Sequence, residues 1–229
     1  MQKIRAIVFI KKLSERIPNK NFRLFNGFPL YTIILERLNN HPWIDKLLID
    51  SDSQEILEFA NQLSKGIAIN RPPHLIGGHI SGNDLVKYDI QFCENEHIFQ
   101  THVTNPLLTN ETITNAIEKY VSSLPVYDSL FSVTRIQQRV FQSDGTPVNH
   151  EKGSLNRTQD LNPVFQENSS YFIFSKTSFV NSGYNRLGLS SQMHEISSIE
   201  AMDIDYEKDF VLAEIIDNNK NKFPEVFNL

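Results

Sequence analysis

The order of apolar patterns along this 229-residue chain predicts an α/β fold in which a mostly parallel sheet carries helices on both faces. Three observations predict it. A run dense in β-branched residues opens the chain at Ile4–Ile10, strand-like and helix-like patterns alternate after it, and a polar loop follows the first strand, where such sheets bind ligands. The length suits one domain spanning 1–229.

The elements follow in order. Ile4–Ile10 is a buried strand broken by the polar stretch Lys11–Asn21. Pro29 opens a helix whose Leu30, Ile33, Ile34 and Leu38 share a face. Lys46–Ile49 is a second strand, and Ser53 caps a helix striped by Ile56, Leu57, Phe59, Ala60 and Leu63. Gly66–Ile69 gives a short strand, Asn83–Cys93 a helix, and His97–Val103 a strand ending at Thr104-Asn105-Pro106. Helix periodicity returns over Thr109–Val121 through Ile113, Ile117 and Val121, and Ser129–Thr134 is a further strand. From about residue 135 to 165 the chain turns polar around Asp144-Gly145, which reads as an inserted arm or hairpin before a strand at Tyr171–Phe174. Met202–Ile204 is read as a last short strand and Tyr206–Ile216 as a closing amphipathic helix.

Composition narrows the function classes. With 40% hydrophobic and 21% charged residues the chain is globular, and its net charge of −5 argues against a nucleic-acid partner. A phosphate site must therefore be a local basic cluster. The single cysteine, Cys93, allows no internal disulfide, and the apolar run Ala6–Ile10 is too short to span a membrane or serve as a signal segment. No membrane partner and a cytoplasmic location are expected.

The loop Lys11-Lys12-Leu13-Ser14-Glu15-Arg16-Ile17-Pro18-Asn19-Lys20-Asn21 puts four cations directly after the first strand, either as a triphosphate cradle or as a solvated charged loop. Asp203 and Asp205 stand two apart. On a strand both carboxylates would point to one side and could hold one hard cation, although two solvated acids on an edge would give the same pattern.

Arg16-Ile17-Pro18-Asn19-Lys20-Asn21, followed by Phe25-Asn26-Gly27-Phe28-Pro29-Leu30, resembles the nucleotide-loop signature of the acylneuraminate (CMP-sialic acid synthetase-like) cytidylyltransferases. The resemblance continues in order through Ile49-Asp50-Ser51-Asp52, Arg71-Pro72, Thr104-Asn105-Pro106-Leu107, Arg157-Thr158-Gln159-Asp160-Leu161, Glu167-Asn168 and Asp203-Ile204-Asp205-Tyr206-Glu207-Lys208-Asp209-Phe210. It implies a Rossmann-like fold of the nucleotide-diphospho-sugar transferase type. It also implies Mg²⁺-dependent transfer of cytidine monophosphate from CTP to a nonulosonic, sialic-acid-like sugar acid, with release of pyrophosphate.

By the same resemblance Arg16, Lys20 and Asp205 are catalytic, and Asp203 and Asp205 ligate the metal. Lys11, Ser14, Arg16, Lys20, Asn21, Arg71 and Ser81 bind nucleotide, while Asp84 is structural. Arg157 and Gln159 match a segment that in the family reaches toward the sugar acid or the dimer partner and are taken as sugar-acid ligands, the guanidinium suiting a carboxylate. His102, where the family has glutamine, is taken as a third, its alternative being an ordinary strand-end histidine. The arm implies a homodimer. The chain departs from the family loop at Lys12 and Leu13, where the family has two glycines, and at Glu15, where it has lysine. The alternative reading is a catalytically impaired homologue that binds nucleotide or sugar, or serves as a structural partner.

Overall fold

The computed structural model describes residues 3–94 and 96–222. Strand β1 (Ile4–Ile10) is followed by a small hairpin, β2 (Leu24–Phe25) with β3 (Phe28–Pro29), and by helix α1 (Leu30–Asn40). Next come β4 (Ile44–Ser51), α2 (Gln54–Gln62), β5 (Gly66–Asn70), α3 (Gly82–Asp89), β6 (His97–Thr101), α4 (Asn110–Ser123) and β7 (Ser129–Ile136). The chain closes through β8 (Val164–Ser175), α5 (Lys176–Asn181), β9 (Ser191–Glu195) and α6 (Glu207–Asn219).

Seven strands form one sheet in the order β5-β4-β1-β6-β8-β7-β9. Every neighbour pair is parallel except the two made by β8, which runs antiparallel to both β6 and β7. The alternation of β1 explains the two faces: Ala6, Val8 and Ile10 pack with Ile34, Leu38, Ile113 and Ile117 of α1 and α4, while Ile7 packs with Val86 of α3 and Phe179 of α5. A third cluster seats α6 and the β2–β3 hairpin: Phe25, Leu30 and Phe210 meet Ile17, Leu107 and Ile204. That cluster clamps the polar loop after β1 to the segment that precedes α6.

Two expectations are corrected. Met202–Ile204 is not a strand: it joins no ladder, and its one backbone tie to the sheet region is Ile204 N–H donating to Thr104 O at 2.9 Å. The last strand is instead β9, parallel to β7 at the sheet edge. Ser53 does stand at the N-terminus of α2, but its side chain makes no capping bond there. The strand at Tyr171–Phe174 is the inner part of the longer β8, which pairs outward with β7 as far as Val164 opposite Ile136.

The arm lies between β7 and β8. Side chains hold it: Asn149 accepts from Val140 N–H at 3.0 Å and donates to Gln138 O and Asn162 O, and Gln137 Nε2 donates to Leu161 O at 2.6 Å. Such bonds supply the order that a ladder would otherwise give. Phe141, Val148 and Leu155 remain exposed on it, Leu155 at 85%.

Candidate active site

Order β4-β1-β6 means that the chain leaves β1 toward one neighbour and later fills the other side, so a crevice opens at the carboxyl ends of β1 and β6. A cleft of about 340 Å³ occupies it. One wall is the loop after β1, with Lys11, Arg16, Lys20 and Asn21; the opposite lip is Leu75, Gly77, Gly78 and Ile80, with Arg71 beside it. The floor is Phe9, His102, Thr104 and Asn105, and Asn168, Ser169, Asp203 and Asp205 close the far end.

The loop is fixed from below. Ile17 is buried in the third cluster, Asn19 takes a left-handed φ of 54°, and the turn Lys20–Phe22 follows, which buries Lys20. Asn21 Nδ2 donates to Lys11 O at 2.8 Å, and Lys12 N–H donates to Asp52 Oδ1 at 2.6 Å, tying the loop to the end of β4. Neither Lys12 nor Leu13 adopts a positive φ, so the backbone here requires no glycine at either position. Asn21 Oδ1 is buried without a protein donor among the described residues. An unmet buried acceptor costs about 1–3 kcal/mol, which a ligand N–H or a water would recover.

The two acids reach the cleft by alternation even without a ladder. Ile204 is fully buried and its neighbours Asp203 and Asp205 turn the other way, into the cleft. Lys20 Nζ donates to Ile204 O and lies 3.7 Å from Asp205, while Arg16 pairs with Asp205 at 2.6 Å and lies over the Tyr206 ring. Burial pushes the Lys20 ammonium below its usual value against the pull of Asp203 and Asp205. The Asp203 side chain opens to the cleft, yet desolvation by the protein around it pushes its carboxyl above the usual carboxylate range, offset in part by a hydrogen bond with Thr104. Among the described residues no group of three or more His, Cys, Asp or Glu is gathered as a metal site. Two oxygen donors fit a small hard cation, which keeps waters and phosphate oxygens as its remaining ligands.

Arg71 also lines the cleft, but its guanidinium is bound from behind: Nε donates to Asp50 Oδ1 at 2.9 Å and a second nitrogen to Asp50 O at 3.0 Å. His102 is partly buried, and burial, with Arg186 and Lys20 nearby, lowers its pKa to about 4. It is a neutral imidazole at ordinary pH. Glu15 is exposed and reaches across the cleft; a methyl group placed on Gly78 would lie 3.4 Å from its carboxylate.

The structure therefore brings Lys11, Arg16, Lys20, Asn21, Arg71, His102, Asp203 and Asp205 together. Ser14, Ser81, Arg157 and Gln159 do not line the cleft. Ser81 forms a capping box with Asp84 at the start of α3, and Arg157 pairs with Asp160 at 2.7 Å on the exposed face of the arm, where Gln159 is also exposed. Thr104, Asn105 and Asn168 stand out in the sequence only as parts of short motifs, and the Gly77-Gly78 lip has a signal in its paired glycines alone.

Comparison with known proteins identifies relatives of the chain. A pseudaminic acid cytidylyltransferase of Campylobacter jejuni is 26% identical over 170 residues, covering 69% of this chain and 72% of its own length. A CMP-N,N'-diacetyllegionaminic acid synthase of Legionella pneumophila is 25% identical, covering 93% and 95%. An N-acylneuraminate cytidylyltransferase of Escherichia coli is 24% identical over 96% of this chain, which spans 53% of that longer protein. Among solved structures, a CMP:2-keto-3-deoxy-manno-octonic acid synthetase complexed with CTP superposes with a TM-score of 0.72 at 10% identity, covering 96% of this chain and all of that one, a likeness of fold. The family model described as "Cytidylyltransferase" matches residues 6–222, and with that span the chain belongs to the cytidylyltransferase family.

Proposed function

We propose that this protein transfers the cytidylyl group of CTP to the anomeric hydroxyl of a nonulosonic, sialic-acid-like sugar acid. The hydroxyl oxygen bonds to the α-phosphorus as its proton passes to water, the bond to the bridging oxygen of the β-phosphate breaks, and pyrophosphate leaves while CMP stays joined to the sugar. The observation that carries the reading is the meeting of Lys20 and Arg16 with Asp203 and Asp205 at the carboxyl edge of β1 and β6. In-line phosphoryl transfer needs charge placed on phosphate oxygens more than it needs a covalent group.

Lys11, Arg16 and Lys20 neutralise the triphosphate, and Asn21 offers its unmet Oδ1 to the nucleotide. Asp203 and Asp205 would hold Mg²⁺, which supplies a hard positive charge to the phosphate oxygens when bound. Arg16 must then release part of its hold on Asp205 and turn to phosphate. The sugar acid takes the end of the cleft toward Thr134, Gln166, Asn168 and Ser198. Arg157 and Gln159 stand on the arm beside exposed Phe141 and Leu155, an arrangement that supports a homodimer in which the arm of one copy reaches its partner's cleft. A cytoplasmic enzyme supplying activated sugar for cell-surface polysaccharide fits this chemistry. No described helix is long and apolar enough to cross a membrane.

The test is pyrophosphate release from CTP and Mg²⁺ with a panel of nonulosonic acids, beside Asp203→Ala. Release that the substitution abolishes supports the reading. Absence of both release and CTP binding across the panel would overturn it in favour of a non-catalytic homologue.

A further inference from the structure

Behind His102 lies a buried polar chain that the reaction above does not use. Arg186 projects under α3, with Nε donating to Asn83 Oδ1 at 2.8 Å and its guanidinium 4.3 Å from the centre of the Phe172 ring. A methyl group on Gly82 would lie 2.9 Å from this guanidinium, so the glycine makes the seat. A guanidinium only donates, and Arg186 Nη1 donates to Gln100 Oε1 at 2.5 Å; that fixes which end of the Gln100 amide carries oxygen. Gln100 is fully buried, and its Nε2 donates to Thr101 O at 3.0 Å, a second bond that a flipped amide would lose.

The same Nε2 lies 3.3 Å from His102 Nε2. It brings a hydrogen, so His102 Nε2 must accept, and the ring proton belongs on Nδ1. Protonating both nitrogens would set N–H against N–H next to Arg186. Nδ1 has no protein partner among the described residues, and His102 lines the same cleft as Thr104 and Asn168.

We propose that Arg186 and Gln100 are positioning residues that lock His102 in the neutral Nδ1–H tautomer, presenting one hydrogen-bond donor to an oxygen of the sugar acid. The locked ring gives a hydrogen bond at that nitrogen and cannot take a proton there, so it orients the acceptor without serving as base for the attacking hydroxyl. The choice of partner rests on the reaction proposed above; the tautomer does not.

The test begins with ¹⁵N-histidine NMR of the intact, ligand-free chain. The expected spectrum has His102 Nδ1 carrying the proton and Nε2 bare, and the reverse would overturn the proposal. In Gln100→Glu the new carboxylate can only accept from the ring, so the proton should move to Nε2; a spectrum unchanged from the parent would also overturn it. In steady-state assays Gln100→Leu should raise the KM for the sugar acid about tenfold, the loss of one oriented hydrogen bond, with CTP KM held within about twofold. A rise confined to CTP would overturn the assignment to the sugar. Because the spectra need no substrate, failure of the tautomer stays distinguishable from failure of the cytidylyl-transfer reading.

Discussion

Replacing Asp89 by asparagine should stabilise the protein increasingly as pH rises, and the structure sets the size. Asp89 is fully buried at the end of α3, and neither carboxylate oxygen has a partner among the described residues. Burial raises its pKa from an ordinary 3.8 to about 8; repulsion from Asp50 adds to the shift and Arg71 opposes it. Between those two values the folded chain keeps a proton that the unfolded chain has lost. Stability therefore falls as pH rises, at up to about 1.4 kcal/mol per pH unit. From about pH 5 to about pH 7 the loss is about 2–3 kcal/mol, which for a chain of this size is about 5–10 °C in Tm. The amide of Asp89→Asn cannot ionise. The assay is thermal unfolding of both proteins across that range, and the difference in Tm should widen by this amount, since every other titrating group is common to the pair. A difference that stays flat with pH would refute the reasoning and mean that a water or neighbour already satisfies the ionised carboxylate.

Lys20→Met removes the ammonium that binds Ile204 O and faces Asp205, and kcat/KM for pyrophosphate release should drop at least about 100-fold; a drop under about threefold would take Lys20 out of the catalytic group. Glu15→Lys exchanges an exposed negative charge at the cleft lip for a positive one, so the KM for CTP should fall about threefold to tenfold at low salt and converge on the parent at high salt. Ser169 holds a left-handed φ of 56°, but the strain that Ser169→Gly relieves is offset by the greater freedom of glycine in the unfolded chain and by the lost hydroxyl bond to Glu167, so Tm should move by less than about 2 °C in the same unfolding experiment.

The central strands were legible because burial on both faces favours apolar runs, Ala6–Ile10 in β1 and Leu47–Ile49 in β4, with polar residues kept to the strand ends. β9 was not, because Ser-Gln-Met-His-Glu sits at a sheet edge with one face to solvent and offers a single apolar residue to count. The outer half of β8 was hidden for a related reason: Val164–Glu167 pairs only with β7 and remains outside the core. Within the site, the cations and acids that share the cleft lie on short motifs whose order survives in the sequence. Gln100 and Arg186 gave no such signal, since they lie 86 positions apart and their chemistry exists only once β6 and the loop before β9 meet.

The segment Asp203-Ile204-Asp205 shows why the expected strand failed while both carboxylates still face the cleft. Period-two alternation follows from an extended path and a buried middle residue, and a ladder is only one way to enforce it. Here the enforcement is Ile204 in the third cluster, one backbone bond to Thr104 and the Lys20 ammonium on Ile204 O. The same ammonium lies beside Asp205, so one cation both holds the backbone in place and sets the charge facing the cleft. Loss of Lys20 should therefore loosen the placement of both acids as well as remove a charge, and Lys20→Arg, which keeps the charge with a different reach, should recover less activity than charge alone would allow.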